Sequence, residues 1–138
     1  MSKKGARRRN SFSHERRKAL DRNTVTNANQ NLGLYIHIPF CVKKCDYCDF
    51  LSAPATEKMQ DSYVQALLTE IRSYKGKVSG YRVPTIFIGG GTPSAIDPSH
   101  ILSIMEAIYE TFSIDGNRLE ATIEVNPGNV TQEKLETY

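Results

Sequence analysis

The fold of this chain is decided by the stretch from Tyr35 to Cys48, which reads YIHIPFCVKKCDYC. It contains all three cysteines of the chain, spaced C-x3-C-x2-C, directly after an apolar run that favours a β-strand. Three thiolates this close together can bind one metal centre, but a closed structural site needs four ligands. An iron–sulfur cube held here would therefore keep one iron with an open coordination position, where a small molecule could bind.

The cysteine pattern also indicates the compartment. Three clustered cysteines with none elsewhere do not form a disulfide framework, so they predict a metal-binding loop in a reducing compartment. No apolar run approaches the ~18 residues that a membrane span needs, and no apolar signal-peptide core is present. We therefore expect a cytoplasmic location.

The positive charge of the chain is concentrated at its start. Residues 1–22 hold nine Lys or Arg against two acidic residues, a local charge of +7, whereas the rest holds nine against thirteen, a charge of −4. Residues 1–31 are polar and predict a disordered basic tail. An RNA- or membrane-binding arm, an organelle transit peptide, a solvated extension and a start placed too far upstream remain open for it. Because Phe12 is the only Phe, Tyr or Trp among the basic residues, there is no repeated aromatic interleaving; we expect no nucleic-acid partner, and a peripheral membrane contact stays open.

Strand and helix patterns alternate along residues 32–138. Alternating or apolar runs predict strands at Leu34–Ile38, Thr85–Ile88 and Leu119–Val125. Helices are predicted from Thr56 to about Tyr74, from Asp97 and Pro98 onward, and from Thr131. The apolar stripe of the first helix comprises Met59, Tyr63, Leu67, Ile71 and Tyr74, and that of the second comprises Ile101, Ile104, Met105, Ile108 and Phe112.

This order predicts an α/β fold of three βα units with parallel strands and right-handed crossovers. Each motif of chemical interest lies at the C-terminal end of a strand, the rim where (β/α) barrels build their active sites. Three units do not close a barrel, and the sheet would keep an open edge. We therefore expect residues 32–138 to be the N-terminal part of a partial TIM-type barrel, with the remainder missing from this sequence.

A resemblance to a known family follows from two motifs. The C-x3-C-x2-C loop with an aromatic residue before its last cysteine resembles the cluster loop of the radical S-adenosylmethionine (SAM) superfamily. The flanking YIHIPFC, together with GGGTPS at Gly89–Ser94, resembles the branch that contains oxygen-independent coproporphyrinogen III oxidases and radical SAM heme chaperones. The likeness extends from about Leu34 to the end of the chain.

The resemblance implies a cofactor for the cysteine loop. In this family, Cys41, Cys45 and Cys48 would ligate three irons of a 4Fe-4S cluster, and the fourth iron would chelate SAM. Lys43 and Lys44 could help to keep the thiols as thiolates. The alternative is a Cys3His zinc site with His37, which the spacing permits although His37 lies within the strand.

The resemblance also implies SAM contacts on the other strands. The glycine run, carried over to Gly90, Gly91 and Thr92, would bind the amino group of SAM; the alternative is a tight strand-to-helix turn or a phosphate nest. Glu124 precedes Asn-Pro, as a SAM-binding glutamate of the family does. It would point towards the barrel lumen if the apolar residues that alternate with it in its strand meet the outer helices. Its alternative is a solvated position on an edge strand.

Two tyrosines complete the expected site, and a third aromatic residue bears on the choice of branch. Tyr35 matches a family tyrosine near SAM, and Tyr47 matches the aromatic residue beside the adenine, although a loop-filling role stays open for Tyr47. Phe50 stands where the coproporphyrinogen oxidases carry a further cysteine, which favours the chaperone branch.

Three functions remain in order of preference. The first is a heme chaperone that carries the cluster and SAM, binds heme as cargo in its full-length form and passes it to apo-hemoproteins; an electron donor such as flavodoxin or ferredoxin is implied. The second is an oxygen-independent coproporphyrinogen III oxidase. The third is a small zinc-binding module with a basic arm.

Overall fold

The protein is described by a computed structural model that covers residues 30–138. In chain order, the elements are β1 (Gln30–Ile38), α1 (Glu57–Ser73), β2 (Tyr81–Gly90), a short 3-10 helix (Pro93–Ala95), α2 (Pro98–Thr111), β3 (Glu120–Ile123) and α3 (Gln132–Thr137). Strands alternate with helices throughout, which confirms the predicted α/β class. The predicted tail lies outside the described residues, except that Gln30 and Asn31 belong to β1.

The strands form one parallel sheet in the order β1-β2-β3. Ile38 at the end of β1 is paired with Gly90 at the end of β2, and Ile88 is paired with Ile123 at the end of β3. Because parallel strands run in the same direction, all three loops that follow them leave from the same edge of the sheet. This edge carries the cysteine loop, the glycine run and Glu124.

The core lies on one face of the sheet. Ile36, Ile38, Ile86 and Ile88 are buried there against α1 and α2, together with Val64, Leu68, Ile71, Ile101, Ile104, Ala107 and Ile108. The opposite face is open and carries Tyr35 and Phe87, whose rings stack at 6.0 Å between centroids. Period-two alternation in β1 therefore separates a buried aliphatic row from an exposed aromatic row.

Helix α1 begins as predicted but buries a different stripe. The Thr56 hydroxyl accepts a hydrogen bond from the Met59 amide and caps the helix. The buried residues are Val64, Leu68 and Ile71, whereas Met59 is 57% and Tyr74 is 41% exposed, so the predicted stripe is wrong at both ends. The helix is rotated because it packs against α2 as well as the sheet, which the spacing of apolar residues does not encode.

Helix α2 confirms the prediction more closely. Asp97 caps it by accepting a hydrogen bond from the Ser99 amide at 2.8 Å, and Pro98 occupies the first turn. The hydrogen bonds from Ser99 lower the pKa of the Asp97 carboxyl, and the nearby charges of His100 and Lys134 lower it further.

Within residues 30–138, no helix is long and apolar enough to cross a membrane.

The predicted strands differ from the observed ones mainly in length. The second strand extends over Tyr81–Gly90 rather than Thr85–Ile88, because its first residues pair with the early part of β1. The third strand is shorter than Leu119–Val125 and spans Glu120–Ile123. Val125 is 38% exposed beyond the last paired residue. Helix α3 begins after Thr131, whose hydroxyl accepts from the Lys134 amide, as predicted.

Candidate cluster and cofactor site

The cysteine loop is anchored at both ends to the end of β1. The Cys41 amide donates to the Ala53 carbonyl at 3.2 Å, and the Ala53 amide donates to the Pro39 carbonyl at 3.0 Å. These bonds form a parallel bridge between Phe40 and Ala53. Tyr63 of α1 supports the same point, because its hydroxyl donates to the His37 carbonyl at 2.6 Å. The loop between residues 41 and 52 therefore projects from the rim of the sheet on two fixed ends.

The three thiols share one cavity but are not gathered into a coordination sphere. Cys41 and Cys48 are half-buried, Cys45 is exposed, and all three are free of disulfide bonds. All three line a cavity of about 310 Å³, together with Gly91 and Asn126. Within residues 30–138, no three His, Cys, Asp or Glu side chains are close enough to hold a metal ion. The thiols must therefore converge when a metal centre binds, as is usual where binding completes the folding of a site.

Lys44 organises the return half of the loop. Its ammonium donates to the Cys48 sulfur at 3.8 Å and to the Ser52 hydroxyl at 3.4 Å, and it also donates to the Phe50 carbonyl. Lys43 next to it is exposed. Of the two lysines considered from the sequence, only Lys44 contacts a cysteine.

The glycine run lies directly against the base of the cysteine loop. The Gly91 amide donates to the Ile38 carbonyl at 2.8 Å, and the Thr92 amide donates to the Phe40 carbonyl at 2.7 Å. A Cβ atom on Gly91 would lie 2.9 Å from the backbone carbonyl carbon of Phe40. Gly90 has a φ of +117°, and a Cβ atom there would meet the His37 ring at 2.5 Å. Only glycine fits at these two positions.

Glu124 is connected to the glycine run by a direct hydrogen bond. Its Oε2 accepts from the Gly90 amide at 3.1 Å, while its own amide donates to the Ile88 carbonyl at 3.0 Å. Glu124 and Gly90 line a second cavity of about 400 Å³, together with Phe50. Gly91, Thr92 and Asn126 line both cavities. The two cavities are therefore adjacent, with the backbone of the glycine run between them.

Both ring nitrogens of His37 are hydrogen-bonded to groups other than the cysteines. Its Nε2 lies 3.1 Å from the Leu51 carbonyl, and its Nδ1 lies 3.1 Å from the Tyr35 hydroxyl. A carbonyl oxygen only accepts, so Nε2 carries the proton and Nδ1 accepts from Tyr35. Both ring nitrogens thus have partners. This arrangement does not support His37 as the fourth ligand of a zinc site.

The two tyrosines singled out from the sequence lie in different surroundings. Tyr35 is 58% exposed on the open face of the sheet. Tyr47 is 89% exposed at the tip of the cysteine loop and lines the cavity of the three thiols. A hydrogen bond with the Cys45 side chain raises the pKa of the Tyr47 hydroxyl, and the charge of the Cys45 thiolate raises it further. The structure does not bring Tyr35 and Tyr47 into one cavity.

Four residues of this site were missed by reasoning from the sequence. The Ser94 hydroxyl, fully buried, donates to Asn129 Oδ1 at 2.6 Å and accepts from the Asn126 amide at 3.0 Å. Lys134 of α3 donates to the Ser94 carbonyl at 2.7 Å. Asn126 and Asn129 line the thiol cavity. The only indication in the sequence was the run Asn126-Pro127-Gly128-Asn129, which predicts a turn. Polar residues in turns show no periodicity, so their part in the site could not be predicted from spacing.

Known proteins are similar to this chain in both sequence and fold. The sequence profile of the radical SAM superfamily matches residues 35–138. Over 108 residues the chain is 41% identical to the heme chaperone HemW of Escherichia coli (strain K12), and over 112 residues it is 38% identical to the HemW of Haemophilus influenzae. Each alignment covers 78% of this chain but only 28% and 29% of those relatives, so the chain spans less than a third of their length.

The fold of this chain is also similar to that of a solved radical SAM enzyme. The radical SAM enzyme coproporphyrinogen III oxidase (HemN) from Escherichia coli superposes with a TM-score of 0.75 at 29% identity, covering 87% of this chain and 28% of that one. The profile match covers most of the chain, including the cysteine loop, the glycine run and Glu124. The chain therefore belongs to the radical SAM superfamily.

Proposed function

We propose that this chain forms the cluster- and SAM-binding part of a heme chaperone of the HemW type. The complete protein would bind heme and pass it to apo-hemoproteins. One observation carries the proposal: the three free thiols and the glycine run border one cavity at the rim of the sheet. Membership of the radical SAM superfamily implies a 4Fe-4S cluster and SAM, and the identity to HemW proteins favours the chaperone over other members.

The residues present fit these two groups. Three thiols on one loop match the donors of a cluster that is bound through three irons. Gly91 and Thr92 line both cavities, so their backbone groups are available to a bound molecule there. Cys41 and Cys48 are half-buried and Cys45 is exposed, so Cys45 is the thiol that would have to move inward.

The proposal assigns a role to each residue of the site. Cys41, Cys45 and Cys48 would hold the cluster. Gly90, Gly91, Thr92 and Glu124 would bind SAM, with Tyr35 and Tyr47 near it. Glu124 presents a carboxylate acceptor for the amino group, and its hydrogen bond to Gly90 holds it in place. When bound, the cluster supplies the single electron that cleaves the sulfonium of SAM. The adjacent cavities would place the two groups in contact.

A second function, oxygen-independent coproporphyrinogen III oxidase, is favoured by the structural likeness to HemN. Phe50 argues against it, because it occupies the position at which those oxidases carry a further cysteine. In this structure Phe50 is 67% exposed and lines the cavity next to Glu124. We therefore rank the chaperone first.

The partners and the location extend from the same proposal. We propose heme and apo-hemoproteins as partners of the full-length protein, and a flavodoxin- or ferredoxin-type protein as the electron donor. Free thiols suit the cytoplasm, where such clusters are kept reduced. No nucleic acid is proposed, and a peripheral membrane contact would involve the basic segment before residue 30.

The first experiment tests the cluster. The chain is reconstituted anaerobically with iron and sulfide, and both are counted per chain. We expect about four of each in the wild type and almost none in Cys45→Ser, because two thiolates do not hold a cube. Asp46→Ser, the exposed neighbouring position, is the control and should bind as the wild type does. Full iron and sulfide in Cys45→Ser would show that the ligand assignment is wrong.

The second experiment separates the two functions in the full-length gene product. Purified anaerobically, it is given heme in one reaction and coproporphyrinogen III with SAM and a reductant in another. We expect stoichiometric heme binding and transfer to an apo-hemoprotein, with no coproporphyrinogen consumed. SAM-dependent decarboxylation of coproporphyrinogen without heme transfer would establish the oxidase instead.

A further inference from the structure

Lys44 is the cation that is most closely connected to the cysteine ligands in the described part of the chain. An ammonium group has three N–H donors, and three acceptors surround Lys44: Cys48 Sγ at 3.8 Å, Ser52 Oγ at 3.4 Å and the Phe50 carbonyl. All three acceptors belong to the return half of the loop, between residues 48 and 52. The Lys44 side chain thus connects the middle of the loop to three positions on its return half, at residues 48, 50 and 52.

The neighbouring lysine shows that this is a specific arrangement. Lys43 carries the same charge one residue earlier and borders the same cavity, yet its side chain is exposed. Among the described residues it has no hydrogen bond or ion pair. Lys44 is half-buried, so water screens its charge less than that of Lys43. The two lysines therefore form a matched pair with equal charge and different contacts.

We propose that Lys44 is a positioning residue that holds the Cys48 sulfur and raises the reduction potential of the cluster. This inference rests on the proposed function, since it needs a cluster on Cys48. A hydrogen bond and a positive charge at a ligand sulfur stabilise the more negative, reduced cluster more than the oxidised one. Lys44 therefore makes the transfer of one electron to the cluster easier.

The same contacts determine which thiols stay in place when the cluster forms. The Cys41 amide is bonded to Ala53, and Cys48 is held by Lys44 and by its own amide bond to the Cys45 carbonyl at 3.1 Å. Cys45 is exposed, and its side chain is hydrogen-bonded only to the exposed Tyr47 hydroxyl among the described residues. Lys44 thus holds Cys48, and the bond to Ala53 holds the backbone of Cys41, while the exposed Cys45 moves towards them.

The test is a redox titration of reconstituted protein, followed by electron paramagnetic resonance of the reduced cluster. For Lys44→Met we expect the ratio of reduced to oxidised cluster at the wild-type midpoint to fall about tenfold, equivalent to ~59 mV for one electron. Lys43→Met should stay within about twofold of the wild type, because its charge is screened. Lys44→Arg, which keeps the charge and the donors, should restore most of the potential.

Equal shifts in Lys44→Met and Lys43→Met, or no shift in either, would overturn the proposal. If Lys44→Met does not retain a cluster, Lys44→Gln is titrated against Lys43→Gln by the same criterion. A wild-type chain that binds no iron and sulfide would overturn the proposed function instead. In that case, hydrogen exchange of the cluster-free protein still tests the contact: amides of residues 48–52 should exchange faster in Lys44→Met than in Lys43→Met, and equal exchange rejects it.

Discussion

Replacing Gly91 by alanine tests how closely the glycine run and the cysteine loop are packed. The added methyl group would lie 2.9 Å from the Phe40 carbonyl carbon and 3.0 Å from the Phe40 nitrogen, all backbone atoms that cannot rotate away. The hydrogen bonds Gly91 N–H to Ile38 O, at 2.8 Å, and Thr92 N–H to Phe40 O, at 2.7 Å, hold the two segments at this distance.

The cost follows from these contacts. Relieving the overlap requires the segments to separate, which loses at least one hydrogen bond of about 1 kcal/mol. Overpacking adds about 1–3 kcal/mol. We therefore expect Gly91→Ala to lower the free energy of unfolding by about 2–4 kcal/mol. It should also reduce the iron bound after reconstitution, because it displaces the base of the cysteine loop.

Urea unfolding followed by circular dichroism measures this change. The control is Gly116→Ala, since a Cβ atom at Gly116 meets nothing within 4 Å. That variant should unfold within about 0.5 kcal/mol of the wild type or be slightly more stable. If Gly91→Ala is as stable as Gly116→Ala, with an unchanged dependence on urea, the close packing inferred here is wrong.

Two further predictions concern carboxylates. Glu124→Gln keeps an oxygen that can accept from Gly90 but removes the charge. We therefore expect a nearly unchanged free energy of unfolding and roughly tenfold weaker SAM binding, measured by equilibrium dialysis. An equal loss of SAM affinity in Glu120→Gln, at an exposed position, would contradict this. Asp97→Asn keeps a side-chain oxygen that can cap the helix but removes the carboxyl group that titrates. Because the folded-state pKa of Asp97 is lowered, its charge stabilises the protein above the unfolded pKa of about 3.9 and stops doing so as the pH falls through the folded value. In urea unfolding, the free energy of unfolding of the wild type should therefore exceed that of Asp97→Asn by about 0.5 kcal/mol at pH 5, and the difference should shrink as the pH falls below the unfolded pKa. A difference that does not vary with pH would refute the assignment.

Local signals in the sequence predicted much of the fold. The caps at Thr56, Asp97 and Thr131 start their helices as expected, because a cap is a contact between residues two or three positions apart. The alternation of β1 placed Ile36 and Ile38 in the core and left Tyr35 on the other face, for an equally local reason.

Predictions that depend on distant partners were less accurate. The buried stripe of α1 is rotated from Met59 and Tyr74 towards Val64 and Leu68, because α2 occupies one side of it. The third strand ends at Ile123 although the alternation continues to Val125, because β2 pairs with it only as far as Ile88.

The sequence by itself determined the class of the fold, the family and the three candidate thiol ligands, because these depend on residue type and short spacing. Only the tertiary structure decided what surrounds the ligands. It placed Lys44 rather than Lys43 against Cys48, connected Glu124 to Gly90, and brought Ser94 together with Asn126 and Asn129 at the wall of the thiol cavity. The physical reason is that parallel strands bring residues that are far apart in sequence to one edge of a sheet. Contacts between such residues produce no periodic pattern in the sequence from which they could be predicted.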